Sequence, residues 1–216
     1  MINVEEPHYT ETLNILRGAT ELPPVFADLK AHIEAVYTVP VANFILDTLQ
    51  DGRPRLRVLL LEDTKLMRSG YNYDRKKQDA IASAFRRLKA LHSFMPGASL
   101  DNLFVCYSDF RMDIQSEVAK KACAEAIPAI KRRVGRRAKI WRLDKIFTGL
   151  FVFYETMEQV EKYARNGVSA KIEKIYTELL RKYDEFAVFS SGPVITFDSK
   201  ENVDKNFEGN LFYYYK

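Results

Sequence analysis

The chain has 216 residues, 47% of them hydrophobic and 29% charged, and a formal net charge of +4. That suits a globular protein of one large or two small domains with a substantial core, and excludes disordered and fibrous classes. No apolar run approaches the ~20 residues that span a bilayer, the acidic start Met1–Glu6 lacks a signal-peptide core, and so mild a positive charge selects no partner; a cytoplasmic location is the expectation.

The spacing of Leu13 and Leu16 predicts a short helix over Tyr9–Arg17, ended by Gly18. Pro23-Pro24 open a second helix, since proline suits a first turn, with Phe26, Leu29, Ile33 and Val36 as its apolar stripe and Pro40 beyond its end. Val41–Leu49 reads as a strand. Asp51-Gly52 supplies the backbone angles of a hairpin turn, and Leu56, Val58 and Leu60 alternate with Arg55, Arg57 and Leu59 in the return strand. Thr64–Tyr73 is a connector without a clear pattern. Asp74 caps a long helix carrying Ile81, Phe85, Leu88 and Leu91 inside, and Met95-Pro96-Gly97 ends it.

Leu103–Tyr107 is a short β-rich run, and Asp109 can cap the helix that follows. That helix has Ile114, Val118, Ala122, Ala126 and Ile130 on one stripe. Pro128 lies inside it and predicts a kink or restart, and Gly135 a stop. Ala138–Leu143 alternates as a half-buried strand, and Phe147–Tyr154 carries the strongest strand signal in the chain. Thr156 with Gln159 reads as a capping box, and Asn166-Gly167 as a helix end. Ser169 reads as the cap of a further helix with Ile172, Ile175, Tyr176, Leu179 and Tyr183 inside. Phe186–Phe189, Val194–Phe197 and Leu211–Tyr215 complete the expected strands. The last, so rich in aromatics, is expected to pair with a free sheet edge in this chain or, as a minority reading, in a second copy forming a homodimer.

From Leu103 to Ser190 the order is βαββαβ, which resembles the ferredoxin-like sandwich. Residues 24–108 and 112–190 each read αββαβ. Val58–Thr64 lines up with Leu150–Thr156 without a gap, and at the same offset Tyr71 meets Tyr163 and Leu88 meets Leu180. The expected fold is therefore α+β: a tandem pseudo-repeat of αββαβ units, with ferredoxin-like antiparallel sheets, helices on one face, and added C-terminal strands. The expected divisions are 1–22 as a helical extension, 23–108 and 109–192 as the two halves of one compact unit, and 193–216 as the strand addition.

Chemistry is sparse. Two cysteines, Cys106 and Cys123, sit among apolar neighbours and read as reduced, buried thiols. With only His8, His32 and His92 besides, no metal cluster forms without carboxylates. No dinucleotide fingerprint or nucleophile elbow occurs, so no cofactor is expected. Ser190-Ser191-Gly192 reads as a plain turn rather than an anion nest. Glu62-Asp63 and Glu155 end corresponding strands and could form an acid–base pair, though capping or solvation is the favoured reading.

Lys131, Arg132, Arg133, Arg136, Arg137, Lys139, Arg142 and Lys145 crowd one stretch, opposed only by Asp144. Arg75, Lys76, Lys77, Arg86, Arg87 and Lys89 crowd one helix. Such runs can bind nucleic acid by releasing counterions, but solvated helix ends and faces are the favoured reading, since cations suit a helix C-terminus. Leu103-Phe104-Val105 and Phe151-Val152-Phe153-Tyr154 resemble the two signature strands of the RNA-recognition motif, in which sheet-face aromatics stack on bases. Gly149 and the lack of a cation directly before it depart from that signature. Tyr71-Asn72-Tyr73-Asp74-Arg75 mixes aromatic, amide, acid and cation in one loop and is a candidate ligand site. A non-catalytic binding or regulatory protein is the leading expectation. Nucleic-acid binding through residues 131–145 comes second, and an enzyme using the strand-end carboxylates third.

Overall fold

The protein, seen here in a computed structural model, is described over residues 6–62, 64–95, 99–135 and 137–216. It is a mixed α+β chain that divides into two compact units, Met1–Asp113 and Ile114–Lys216.

The first unit opens with α1 (Pro7–Leu16) and α2 (Pro24–Tyr37), each with proline in its first turn. Thr38 ends α2 in left-handed backbone. β1 (Val41–Thr48) and β2 (Pro54–Leu60) follow as an antiparallel pair. At their tip Gly52 holds a positive φ of 84° and donates its N–H to the Leu49 carbonyl, as the Asp-Gly turn predicts. A 3-10 turn (Thr64–Met67) leads into a two-residue hairpin, β3 (Arg68–Ser69) and β4 (Asn72–Tyr73), which gives the unpatterned connector its form. The Asp74 carboxylate accepts from the Lys76 and Lys77 N–H groups and starts α3 (Arg75–Leu91). β5 (Phe104–Asp109) then pairs with β2 in parallel.

The division between the units falls in the first turn of α4 (Phe110–Arg133). α4 is one continuous helix through Pro128, so of the expected kink or restart the restart does not occur. A β-carbon at Gly135 would lie 2.4 Å from the Lys131 carbonyl oxygen, so only glycine follows the helix there. β6 (Ile140–Ile146) and β7 (Gly149–Tyr154) are antiparallel. The Thr156 hydroxyl caps α5 (Met157–Arg165) by accepting from Gln159, whose own amide accepts from Glu155 N–H. Gly167, at φ 79°, turns the chain into α6 (Val168–Tyr183). Ser169 is not a cap. It lies buried in α6, with its hydroxyl 3.0 Å from that of Tyr154. β8 (Ile195–Ser199) pairs with β7 in parallel, and α7 (Lys200–Asn206) and α8 (Leu211–Tyr214) close the chain.

The sheets and two of the expected strands are corrected as well. The sheets are mixed rather than antiparallel, in the orders β1-β2-β5 and β6-β7-β8, so the βαββαβ stretch from Leu103 to Ser190 is not one sheet. Phe186–Phe189 is a series of turns, because the Asp184 carboxylate accepts from the Val188 and Phe189 N–H groups and competes with strand pairing. The expected edge strand Leu211–Tyr215 is instead the short helix Leu211–Tyr214, capped by the Asn210 side chain.

Both sheets share more than their strand order. Pairing shifts register once near the start of the first strand, between Val41 and Asn43 in one and between Ile140 and Arg142 in the other. Leu60 pairs with Val41 and Asp109, and Tyr154 with Ile140 and Ser199. Leu60 thus holds the place of Tyr154, two residues on from its gapless match, Val152. A two-residue slip leaves every side chain on the same face, so the hydrophobic pattern cannot reveal it.

In the first unit, Phe26 stacks on Phe44 and Phe85 at centroid distances of 5.3 and 5.6 Å, among Leu29, Ile33, Leu56, Val58 and Leu60. Val36 and Leu91, expected inside, are 55% and 73% exposed, past the ends of their stripes. The neighbouring Asn43 points to the other face of β1, where its amide donates to Thr12 of α1 at 2.9 Å. Helices therefore cover both faces of this sheet, not one. In the second unit the predicted stripe of α4, from Ile114 to Ile130, is buried, as are Leu150, Val152, Tyr154, Ile172 and Tyr176. Cys106 and Cys123 are free and buried.

Candidate functional site

β5 is the strand that places chemistry. Its run Phe104–Tyr107 is apolar and pairs alongside β2, and Asp109 ends it by accepting the Met112 N–H at 2.9 Å, the cap expected from its position. Where a parallel strand feeds a helix in this way, a crevice forms beyond the strand's carboxyl end, the usual ligand position in open α/β sheets. A cleft of about 360 Å³ lies there, lined by Thr64, Arg68, Tyr73, Tyr107, Ser108, Asp109, Met112 and Asp113.

The wall is built by the hairpin. The Arg68 guanidinium sits 5.0 Å over the Tyr73 ring and donates through Nε to the Thr64 hydroxyl at 3.1 Å and through Nη1 to the Tyr71 carbonyl at 3.4 Å. Tyr73 meets Tyr107 edge-on, with centroids 5.4 Å apart. Tyr107 lines the cleft as well. It is 3% exposed, and its hydroxyl has no hydrogen-bond partner among the described residues. Burial pushes its phenol far above the ordinary value, and Tyr37 and Asp74 act in the same direction. The hydroxyl is therefore held protonated, as a hydrogen-bond donor.

The candidate loop divides. Tyr73 lines the cleft, Asp74 caps α3, Asn72 pairs with Ser69 in the hairpin, and Tyr71 stands 99% exposed. Tyr107, Ser108 and Asp113 were not singled out by sequence. The available signal was Tyr-Ser-Asp at a strand end before a helix, but its meaning depends on β5 running parallel to β2.

The basic run lies in the second unit. Lys131, Arg132 and Arg133 occupy the last turn of α4, where the dipole favours them. Arg137 and Lys139 follow, exposed, and Arg136 lies outside the described residues. Lys131, Arg132, Arg133, Arg137 and Lys139 make no ion pair among the described residues, whereas Arg142 is paired with Asp144. Arg132 and Arg133 also border a groove of about 470 Å³ between α4 and α6, which Glu125 and Glu178 line as well. On α3, in the first unit, Arg86 is engaged with the Leu100 and Asp101 carbonyls at 2.9 and 3.0 Å.

The two strands that resembled the RNA-recognition signature belong to different sheets, β5 beside β2 and β7 between β6 and β8, so they are not neighbouring strands of one sheet. Glu62 and Glu155 are exposed strand-end residues of separate units, and Asp63 lies outside the described residues. The Ser190 and Gly192 N–H groups donate to the Ala187 and Phe189 carbonyls in turns. Among the described residues no group of His, Cys, Asp or Glu could hold a metal ion, and no helix is long and apolar enough to cross a membrane. No protein-family model, curated protein or solved structure matches the chain.

Proposed function

We propose that the chain is a non-catalytic binding protein whose first unit takes a small polar ligand in the cleft beyond β5. The observation that carries this reading is the buried hydroxyl of Tyr107, a residue that lines the cleft, which has no hydrogen-bond partner among the described residues. A buried hydroxyl left without a partner costs the fold about 1–3 kcal/mol, a cost that makes sense if an incoming acceptor removes it. We also propose that the two units are copies of one αββαβ design, supported by their shared strand order and shared register shift. On that correspondence Tyr107 stands where the second unit has Phe197, which packs against Tyr154 without a hydroxyl. Packing at this place is thus met by a plain ring, and the extra oxygen serves the cleft. A phenol held protonated suits binding better than proton abstraction.

The test is a fragment panel of amines, polyols and carboxylates, followed by amide shifts in the labelled protein. Binders are expected to move Thr64, Tyr73 and residues 107–113 and to lose about tenfold in affinity in Tyr107→Phe, the worth of one hydrogen bond. Fragments that map elsewhere, or bind the variant equally, would refute the assignment.

A second reading, nucleic-acid binding, is favoured by the five exposed cations from Lys131 to Lys139 that lack ion pairs among the described residues. A shift assay at low and physiological salt, with Arg132, Arg133 and Arg137 changed to Glu, decides it. Binding should persist at physiological salt and vanish in the folded variant. Binding that the variant keeps would remove the run from consideration.

A further inference from the structure

The second sheet has a face whose covering is unlike the rest of the fold. β7 presents Phe151 and Phe153 on it, their rings stacked with centroids 6.3 Å apart. Register sets Asp144 of β6 beside Phe151, and Asp198 of β8 beside Phe153. Two tyrosines from the end of the chain lie on this platform. Tyr215 meets Phe151 edge-on at 5.2 Å and gives its hydroxyl to Asp144 at 2.9 Å. Tyr214 meets Phe153 edge-on at 5.2 Å and gives its hydroxyl to Asp198 at 2.7 Å. Each tyrosine thus finds a ring on the central strand and a carboxylate on a flanking one, a matched pair of half-sites.

Beyond these contacts the segment has a further ring contact, Tyr214 edge-on to Phe207 at 5.1 Å, and a backbone bond from Asn210 N–H to the Phe207 carbonyl. α8 is four residues long, too short to be stable alone, and contains no buried residue. It is joined to α7 through Glu208 and Gly209, both in left-handed backbone, at φ 54° and 72°. That conformation is unfavourable for Glu208, which bears a side chain, and opening the joint relieves it. Everything that fastens the segment through its tyrosines could be supplied equally by another peptide with two adjacent tyrosines.

We propose that this face is a docking site for a peptide segment bearing adjacent tyrosines, and that Tyr214 and Tyr215 fill it in cis as a displaceable plug. The partner's tyrosines carry free hydroxyls, because the half-sites end in acceptors. A phosphotyrosine would bring two negative charges against Asp144 and Asp198 and lose the donor. The cis segment acts at an effective concentration in the millimolar range, so an incoming segment competes with it.

The experiment uses the 216-residue chain carrying Tyr214→Ala and Tyr215→Ala, and a fluorescent peptide with the sequence of residues 207–216. Anisotropy should show saturable binding to the variant. Wild type, and the peptide with both matching tyrosines phosphorylated, should each bind at least tenfold more weakly. Tyr213→Ala should leave the wild-type result unchanged, since Tyr213 is 51% exposed and docks on neither ring. A folded variant that binds no peptide, equal binding by variant and wild type, or a phosphopeptide that binds as well would each overturn the proposal. So would a variant that no longer folds, because the segment would then be part of the core and not a plug.

Discussion

Tyr107→Phe separates the cleft from the fold that holds it. The substitution keeps the ring, which packs edge-on against Tyr73, and removes one oxygen that has no partner among the described residues. Leaving a buried hydroxyl unmatched costs about 1–3 kcal/mol. Taking it away should therefore raise stability by about 1 kcal/mol, or about 2–4 °C in melting temperature for a chain of this size. The gain belongs to the first unit, whereas the single tryptophan, Trp141, lies in the second and reports there. Hydrogen exchange of the β5 and α3 amides is thus the better assay, with urea unfolding followed by far-UV circular dichroism as a check. Higher stability joined to weaker ligand binding would be the trade expected of a binding group. A loss of about 1 kcal/mol or more would refute the reasoning, since it would mean that the hydroxyl makes a bond on which the fold depends.

Two further results are expected. Asp74→Ala removes the acceptor of two first-turn N–H groups, and should cost about 1 kcal/mol and fray α3 from its start, seen as faster exchange at Lys76 and Lys77. It should also lower the Tyr37 phenol, which burial raises first and Asp74 second. In alkali, burial leads in raising the phenols of Tyr37, Tyr107, Tyr154 and Tyr176 above the ordinary value. Their contribution is whole below the usual phenol range of about 10 and is lost as pH rises, because the unfolded chain ionises first. Unfolding midpoints measured from pH 8 to 11 should be level at first and then fall, and a stability that rises above pH 10 would contradict the buried phenols.

Much of the local structure was legible in the residues. Asp74, Asp109 and Thr156 cap the helices their positions announce, and Asp51-Gly52 turns the hairpin. Phe26, Leu29 and Ile33, and the α4 series from Ile114 to Ile130, fall on buried stripes. These features follow from bonds and periods within a few residues, which a sequence carries by itself. Where local signals competed, it misled. Phe186–Phe189 has the apolar content of a strand, but the carboxylate of Asp184 claims two of its N–H groups. Leu211–Tyr215 has β-favouring aromatics, but Asn210 caps it as a helix.

Strand partners were decided elsewhere. Nothing near Leu103–Asp109 tells whether β5 joins the strands before it or those after it, because pairing is settled by surfaces distant in sequence. The parallel bond to β2 creates the crevice, and so makes Tyr107, Ser108 and Asp113 neighbours of Arg68 and Tyr73. The register that the two sheets have in common was hidden for a similar reason, since a slip of two residues preserves the faces and moves only the register. Sequence alone thus determined most of the longer helices, the caps at Asp74, Asp109 and Thr156, and the buried stripe of α4. Tertiary structure decided which strand lies beside which, and with it which residues line the cleft beyond β5, because long-range pairing leaves no mark on local periodicity.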